Sequence, residues 1–369
     1  MTAQSKPVNP DNFPFWKLPV LARSRVTKLM EQADVIHLSV HSKLFKRLLM
    51  AFKIGGVSIR FTFWCKLPEN DDFSEECHFI QTYYSPSYDN VEFWCPHPDH
   101  RRIPGNHQHM LVHNNQMLVG RDGRKFEVNS ALTFQEKLKT LEHITRHLLE
   151  IFHVENFKLD YAHTNHAHIF GSFVWDIVDK FRFIIVDSFN APDRESVSDE
   201  EQKKNIDSSY GLTHEQTKFL FNEVKTDILI FLGYISNPKE LTGIQLKHRV
   251  VEVRDRASSD WVTMDHVIDS ESENLWVKFE AIEADEIVKL LKKWQSGEKL
   301  VNLEELLIEY TKDTDHQPLI EMLDKLEGVE MCPNQEAEKE YKVGPYTVRR
   351  TTDGKIATFY VIDEAVYFM

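Results

Sequence analysis

The chain has 369 residues, 41% of them hydrophobic and 28% charged, with a net charge of −14. That balance excludes a disordered chain, and the acidic total argues against broad binding to phosphate backbones. Cys65, Cys77, Cys95 and Cys332 are too sparse for a disulfide framework. No run approaches the ~18 apolar residues of a membrane span, and "MTAQSKPVNPDN" has no apolar signal core. These features predict an intracellular protein, cytoplasmic or nuclear.

Residues 1–12 read as a polar tail. Residues 13–52 read as three short helices. Leu18, Leu21, Ala22, Val26, Leu29 and Met30 form one helical stripe, with Pro19 setting the start of the first helix. Asp34 is expected to cap a second helix carrying Val35, Ile36 and Leu38. Leu44, Phe45, Leu48, Leu49 and Phe52 stripe a third. A unit of about 40 residues is marginal without outside support. Its seven basic residues against Glu31 and Asp34 give it +5 inside a chain of net −14.

From 54 to 131 the period changes to two, in "VSIRFTFWC", "CHFIQTYY", "NVEFWC" and "MLVGRDGRKFEV". This predicts a β-rich segment with a turn at Asp122-Gly123. Over 134–152, Phe134, Leu138, Leu141, Ile144, Leu148 and Ile151 recur at helical spacing. Strands are then expected from about 156, 181, 227, 249, 274 and 303. Most of the intervals fall in the 20–29-residue range of leucine-rich repeats. Helices fit at 168–180, 213–224, 261–269 and 283–296, with Ser259 or Asp260 as the expected cap of the third. The acidic stretch around Asp193, Glu195, Asp199, Glu200 and Glu201 is suited to an exposed loop. A last helix near 315–327 and three strands, turned at Asp353-Gly354, read as a C-terminal β cap.

The segment 13–52 resembles the F-box in its nematode form, "FPxxxLPxxxxxxVxxxMxxxDxIxLSxxSKxxK". It supplies Phe13-Pro14, Leu18-Pro19, Val26, Met30, Asp34, Ile36, Leu38-Ser39, Ser42-Lys43 and Lys46. Residues 261–310 look like the type 2 F-box-associated domain, through Trp261-Val262-Thr263, Asp265-His266, Ile282, a helix ending in Trp294, and Leu303-Glu304. The ending "VRRTTDGKIATFYV" is similar to that family's tail. The resemblance implies a substrate-recognition adaptor of a Skp–cullin–F-box ubiquitin ligase. A Skp-family adaptor, and through it a cullin, would be held by Phe13, Pro14, Leu18, Pro19, Leu21, Val26, Leu29, Met30, Ile36, Leu38, Ser42, Lys43 and Leu48. A protein target would be held by the C-terminal region, with no nucleic acid or membrane partner.

Chemistry of its own is not expected. Cys95, His97, His100, His107, His109 and His113 gather in one segment, but their spacing matches no common zinc knuckle. The alternating His107 and His109 fit one face of a strand equally well. Trp64, Trp94, Trp175, Trp261, Trp276 and Trp294 read as core residues. No nucleophile elbow or phosphate-cradling glycine loop occurs. The expectation is a non-catalytic, multidomain α+β protein without a cofactor. It comprises an F-box (13–52), a β-rich segment (54–131), an α/β leucine-rich-repeat-like region (134–310), and a C-terminal helix and β cap (311–369). Two alternatives stand beside it: a repeat-type interaction module whose front helices cap its own solenoid, and a metal-binding protein using histidines at 97–113.

Overall fold

A computed structural model describes residues 14–66, 75–84, 89–95, 108–113, 115–129, 133–162, 169–187, 211–236, 238, 241–254, 261–312, 315–332 and 341–369. Among them are nine α-helices and sixteen strands, a mixed α/β fold with a helical N-terminal part. The chain divides into two units, residues 1–59 with 79–155 and residues 60–78 with 156–369.

The first unit opens with α1 (Val20–Leu29), α2 (Gln32–His41) and α3 (Lys43–Phe52). Proline fixes its own φ and lacks an N–H, so Pro19 fits immediately before the first turn of α1. Asp34 does not cap α2, contrary to expectation. The cap position is Glu31, because Gln32 and Ala33 are drawn into the core and the helix starts three residues further back. Asp34 lies in the first turn, where its carboxylate complements the helix dipole and accepts from the Arg121 guanidinium at 2.6 Å. Ser42 caps α3 by accepting the Phe45 N–H.

Six strands follow: β1 (Ile54–Lys66), β2 (Glu75–Tyr84), β3 (Asp89–Trp94), β4 (Gln108–Val112), β5 (Asn115–Asp122) and β6 (Lys125–Asn129). Their order is β1-β2-β3-β6-β5-β4. The β5–β6 hairpin turns after Asp122, where Gly123 takes φ +57°. A side chain disfavours that region, so glycine suits the position. α4 (Phe134–Ile151) starts at a capping box of Thr133 and Glu136. It buries Leu138, Leu141, Ile144, Leu148 and Ile151, the stripe read from the spacing.

β1 and β7 (Phe152–Ala162) contribute residues to both units. In the second unit, β7 is followed by β8 (Phe181–Asp187), β9 (Thr226–Leu232), β10 (Val250–Val253), β11 (Asn274–Phe279) and β12 (Glu305–Tyr310). These six pair in sequence order and all in parallel. Leu159, Ile184, Leu229, Val251, Leu275 and Leu306 fall in one register row and are all buried. Alternation on a pleated strand sends these side chains to one face.

That face is covered by helices. Phe221, in the π-helical segment Phe219–Glu223 that continues α6 (His214–Lys218), meets Phe231 there, while Trp175 of α5 (Val174–Ile177) meets Phe181 at the start of β8. Trp294 of α8 (Ala284–Ser296) meets Phe368 edge-on at 4.9 Å. The helix expected over 168–180 is interrupted: 169–170 are helical, 171–173 are not, and α5 covers only Val174–Ile177. The third helix, α7 (Met264–Ile268), is capped by Thr263, not by Ser259 or Asp260, which lie outside the described residues. Trp261 precedes the helix and is buried, so it packs as a core residue before the first helical turn. α9 (Gln317–Leu323) leads to β13 (Val329–Met331), β14 (Val343–Arg349), β15 (Ile356–Ile362) and β16 (Ala365–Phe368). β16 pairs antiparallel with β12, so the C-terminal strands extend the parallel run in the order β12-β16-β15-β14-β13.

Candidate protein-docking surface

The N-terminal helices divide their apolar side chains between core and solvent. Ala33, Val35, Ile36, Phe45 and Leu49 are buried. Leu21 is 80% exposed and Leu29 86% exposed, while Trp16, Val20, Leu44 and Met50 are also exposed. Single exposed leucines are ordinary, but such a concentration on one short segment makes it the candidate docking surface. Trp16 sits in a short turn over Phe15–Lys17, packs edge-on against Phe15 at 5.0 Å, and carries the Arg23 guanidinium 5.9 Å from its ring centre.

Charge reinforces the pattern. Lys17, Arg25, Lys28, Lys43 and Arg47 are exposed. The acids of the segment are engaged elsewhere in the unit: Asp34 with Arg121, and Glu31 with Arg124 at 3.9 Å. The outward surface is therefore apolar with a basic rim, which suits a partner with an apolar and acidic face.

The expected adaptor-binding residues do not all share this surface. Pro14, Pro19, Leu21, Leu29, Leu38 and Lys43 are exposed, and Leu18, Val26, Met30 and Leu48 are half-buried. Ser42 is half-buried and its side chain holds the start of α3. Ile36 is 1% exposed and packs inward, so it positions α2 and offers nothing to the surface. Phe13 lies outside the described residues. Trp16, Val20, Leu44 and Met50 were not singled out by the motif. Their signal was hydrophobicity alone, which does not tell a core position from an exposed one on a helix this short.

Behind the surface, α2 and α3 are tied to α4 by polar contacts. Ser39 Oγ donates to the Ile36 carbonyl at 2.6 Å and lies 2.8 Å from His147 Nε2. Burial, and then the positive charge of Lys46, push the His147 pKa down to about 4. Lys46 pairs with Glu150. Burial works against the Glu150 charge, but the Lys46 hydrogen bond and charge hold its pKa below the usual value. His113, at φ +42°, donates its Nδ1–H to Glu150 Oε1 at 3.0 Å, and Asn115 bridges the His113 carbonyl and His143 Nδ1. A depression of about 370 Å³ opens here, lined by Met50, Lys53, His113, Arg146, Leu149 and Glu150.

Of the histidine-rich segment, His109 is exposed on β4, Cys95 is buried and His113 belongs to the Glu150 network. His97, His100 and His107 lie outside the described residues, as do the acids at 193–201. Among the described residues, no group of three or more His, Cys, Asp or Glu side chains is placed to hold a metal ion. No described helix is long and apolar enough to cross a membrane. Trp261 and Trp294 are buried, as expected, whereas Trp94, Trp175 and Trp276 are half-buried. No protein-family model, curated protein or solved structure matches this chain.

Proposed function

We propose that this protein is a non-catalytic substrate-recognition adaptor of a Skp–cullin–F-box ubiquitin ligase. The observation that carries the reading is the outward-facing Leu21, Leu29, Val20 and Trp16 with their basic rim, lying within the segment that resembles an F-box. In this reading the surface docks on a Skp-family adaptor, and the remainder of the chain holds a target protein. Catalysis is by proximity: a lysine of the target is kept near an activated ubiquitin, raising its effective concentration. Such work takes place in cytoplasm or nucleus and needs no cofactor. The six parallel strands in sequence order support a repeat-like target-binding region, because stacked strand–helix units expose one continuous face.

The test is direct binding of the purified full chain to a purified Skp-family adaptor, beside a Leu21→Asp, Leu29→Asp variant. Binding by the parent chain and loss in the variant is the expected result. Failure of the parent chain to bind overturns the reading.

A second reading is favoured by the Ser39–His147 and Lys46–Glu150 contacts, which build the N-terminal helices into their own unit. On that reading the chain is an interaction module without a ligase role, its front helices being a structural cap. The same binding measurement separates the two.

A further inference from the structure

The sheet of the second unit has a second face, opposite the one that Ile184's register row buries under the helices, and its described residues are only partly covered. Ile185, Ile230, Glu252, Trp276, Leu307 and Tyr367 form one register row across β8, β9, β10, β11, β12 and β16. They alternate with the buried, helix-covered residues, so they point the opposite way. All six are half-buried. The ring contacts of Phe221 and Trp261 with Phe231, and of Trp294 with Phe368, fall on the other face.

Aromatic rings and carboxylates share the centre of this row. The Arg254 guanidinium lies 4.7 Å from the Trp276 ring centre and 3.0 Å from Glu252. The Trp276 ring thus already accepts a guanidinium over its face, the geometry of a cation–π contact. Tyr367 stacks on Tyr360 at 4.9 Å in the next two strands. Glu305 and Glu309 stand two residues either side of Leu307 and so share its face. Neither forms an ion pair with a described residue, although Lys278 is the register neighbour of Glu309. Burial, and the Glu309 charge against the pull of Arg254, raise the Glu252 pKa. Three carboxylates thus face two cations, and Arg254 is already committed to Glu252.

We propose that this face, centred on Trp276 with Glu305 and Glu309, seats an extended arginine- or lysine-bearing segment of the target protein. The cationic side chains take the unpaired carboxylates and the ring faces, and the apolar stems lie on Ile230 and Leu307. The assignment rests on the adaptor reading for the word target, but its test does not involve the Skp partner. Adaptor binding is measured at the N-terminal helices, so failure of one leaves the other standing.

The probe is a fluorescein-labelled peptide of four Arg-Ser repeats, titrated against the full chain by fluorescence polarisation. A Gln-Ser peptide serves as the uncharged comparison. Because the whole protein is acidic, a Glu321→Gln, Glu327→Gln variant supplies the same charge change on and after α9. We expect the arginine peptide to bind and the Gln-Ser peptide to bind at least tenfold more weakly. Glu305→Gln with Glu309→Gln should weaken the arginine peptide at least fivefold, and the α9 variant less than twofold. Glu309→Gln alone should show the same direction. No binding, or equal loss in the two double variants, overturns the proposal.

Discussion

Ser39 on α2 and His147 on α4 meet at 2.8 Å across 108 positions of sequence. Ser39 has one proton, and the 2.6 Å contact gives it to the Ile36 carbonyl. His147 must then be the donor, through Nε2–H, which leaves Nδ1 as a buried atom without a hydrogen-bond partner. The neutral ring fits this place and the charged ring does not, in line with its pKa of about 4.

Stability should therefore depend on pH through His147. The unfolded imidazole titrates near 6.5, the folded one near 4. Between these values the unfolded chain binds the additional proton. The contribution is complete above about pH 6.5 and declines as pH falls toward 4, by up to about 3 kcal/mol. Urea unfolding at pH 7 and pH 5 measures it. The parent chain should lose more on acidification than His147→Gln, and equal losses would remove His147 as the cause.

Leu21→Ala combined with Leu29→Ala should leave the melting temperature within about 1 °C, because both side chains already face solvent. Adaptor binding should weaken tenfold or more, since burying a leucine at an interface is worth roughly 1.5–3 kcal/mol. Titration calorimetry with the purified adaptor tests the second half, and unchanged affinity would place the interface elsewhere.

Trp294→Ala should be severely destabilising. The ring is 0% exposed, meets Phe368 edge-on, and lies beneath the Arg350 guanidinium at 5.1 Å. Truncation of a buried tryptophan costs about 3–5 kcal/mol. Trp261→Ala belongs in the same range, since Trp261 is 3% exposed and packs on Phe221 and Phe231. Denaturant midpoints of the two variants give the values.

Gly297→Ala should cost more than the roughly 1–2 kcal/mol that left-handed backbone alone costs a residue with a side chain. Gly297 ends α8 at φ +71°, and a methyl group there would come within 2.5 Å of Thr352 Oγ1. Thr352→Ala in the same chain should recover the steric part and leave the backbone part. Equal losses with and without Thr352 would assign the whole effect to the backbone.

The sequence by itself determined where the elements of the second unit lie. Strands expected from 156, 181, 227, 249, 274 and 303 appear at Phe152, Phe181, Thr226, Val250, Asn274 and Glu305. Alternation and apolar runs are local properties, so they survive without knowledge of what packs on them. The buried stripe of α4 was legible for the same reason. Tertiary structure decided what those patterns could not carry. It moved the caps of α2 and α7 to Glu31 and Thr263, because burial of Gln32, Ala33 and Trp261 set where the chain could enter each helix. It sent Ile36 inward while leaving Leu21 and Leu29 outside, a choice fixed by which neighbours each helix face meets. It placed Glu252, Trp276 and Tyr367 in one row, although they come from strands far apart in the chain. Register between strands depends on the packing of all of them, and no local window of sequence contains it.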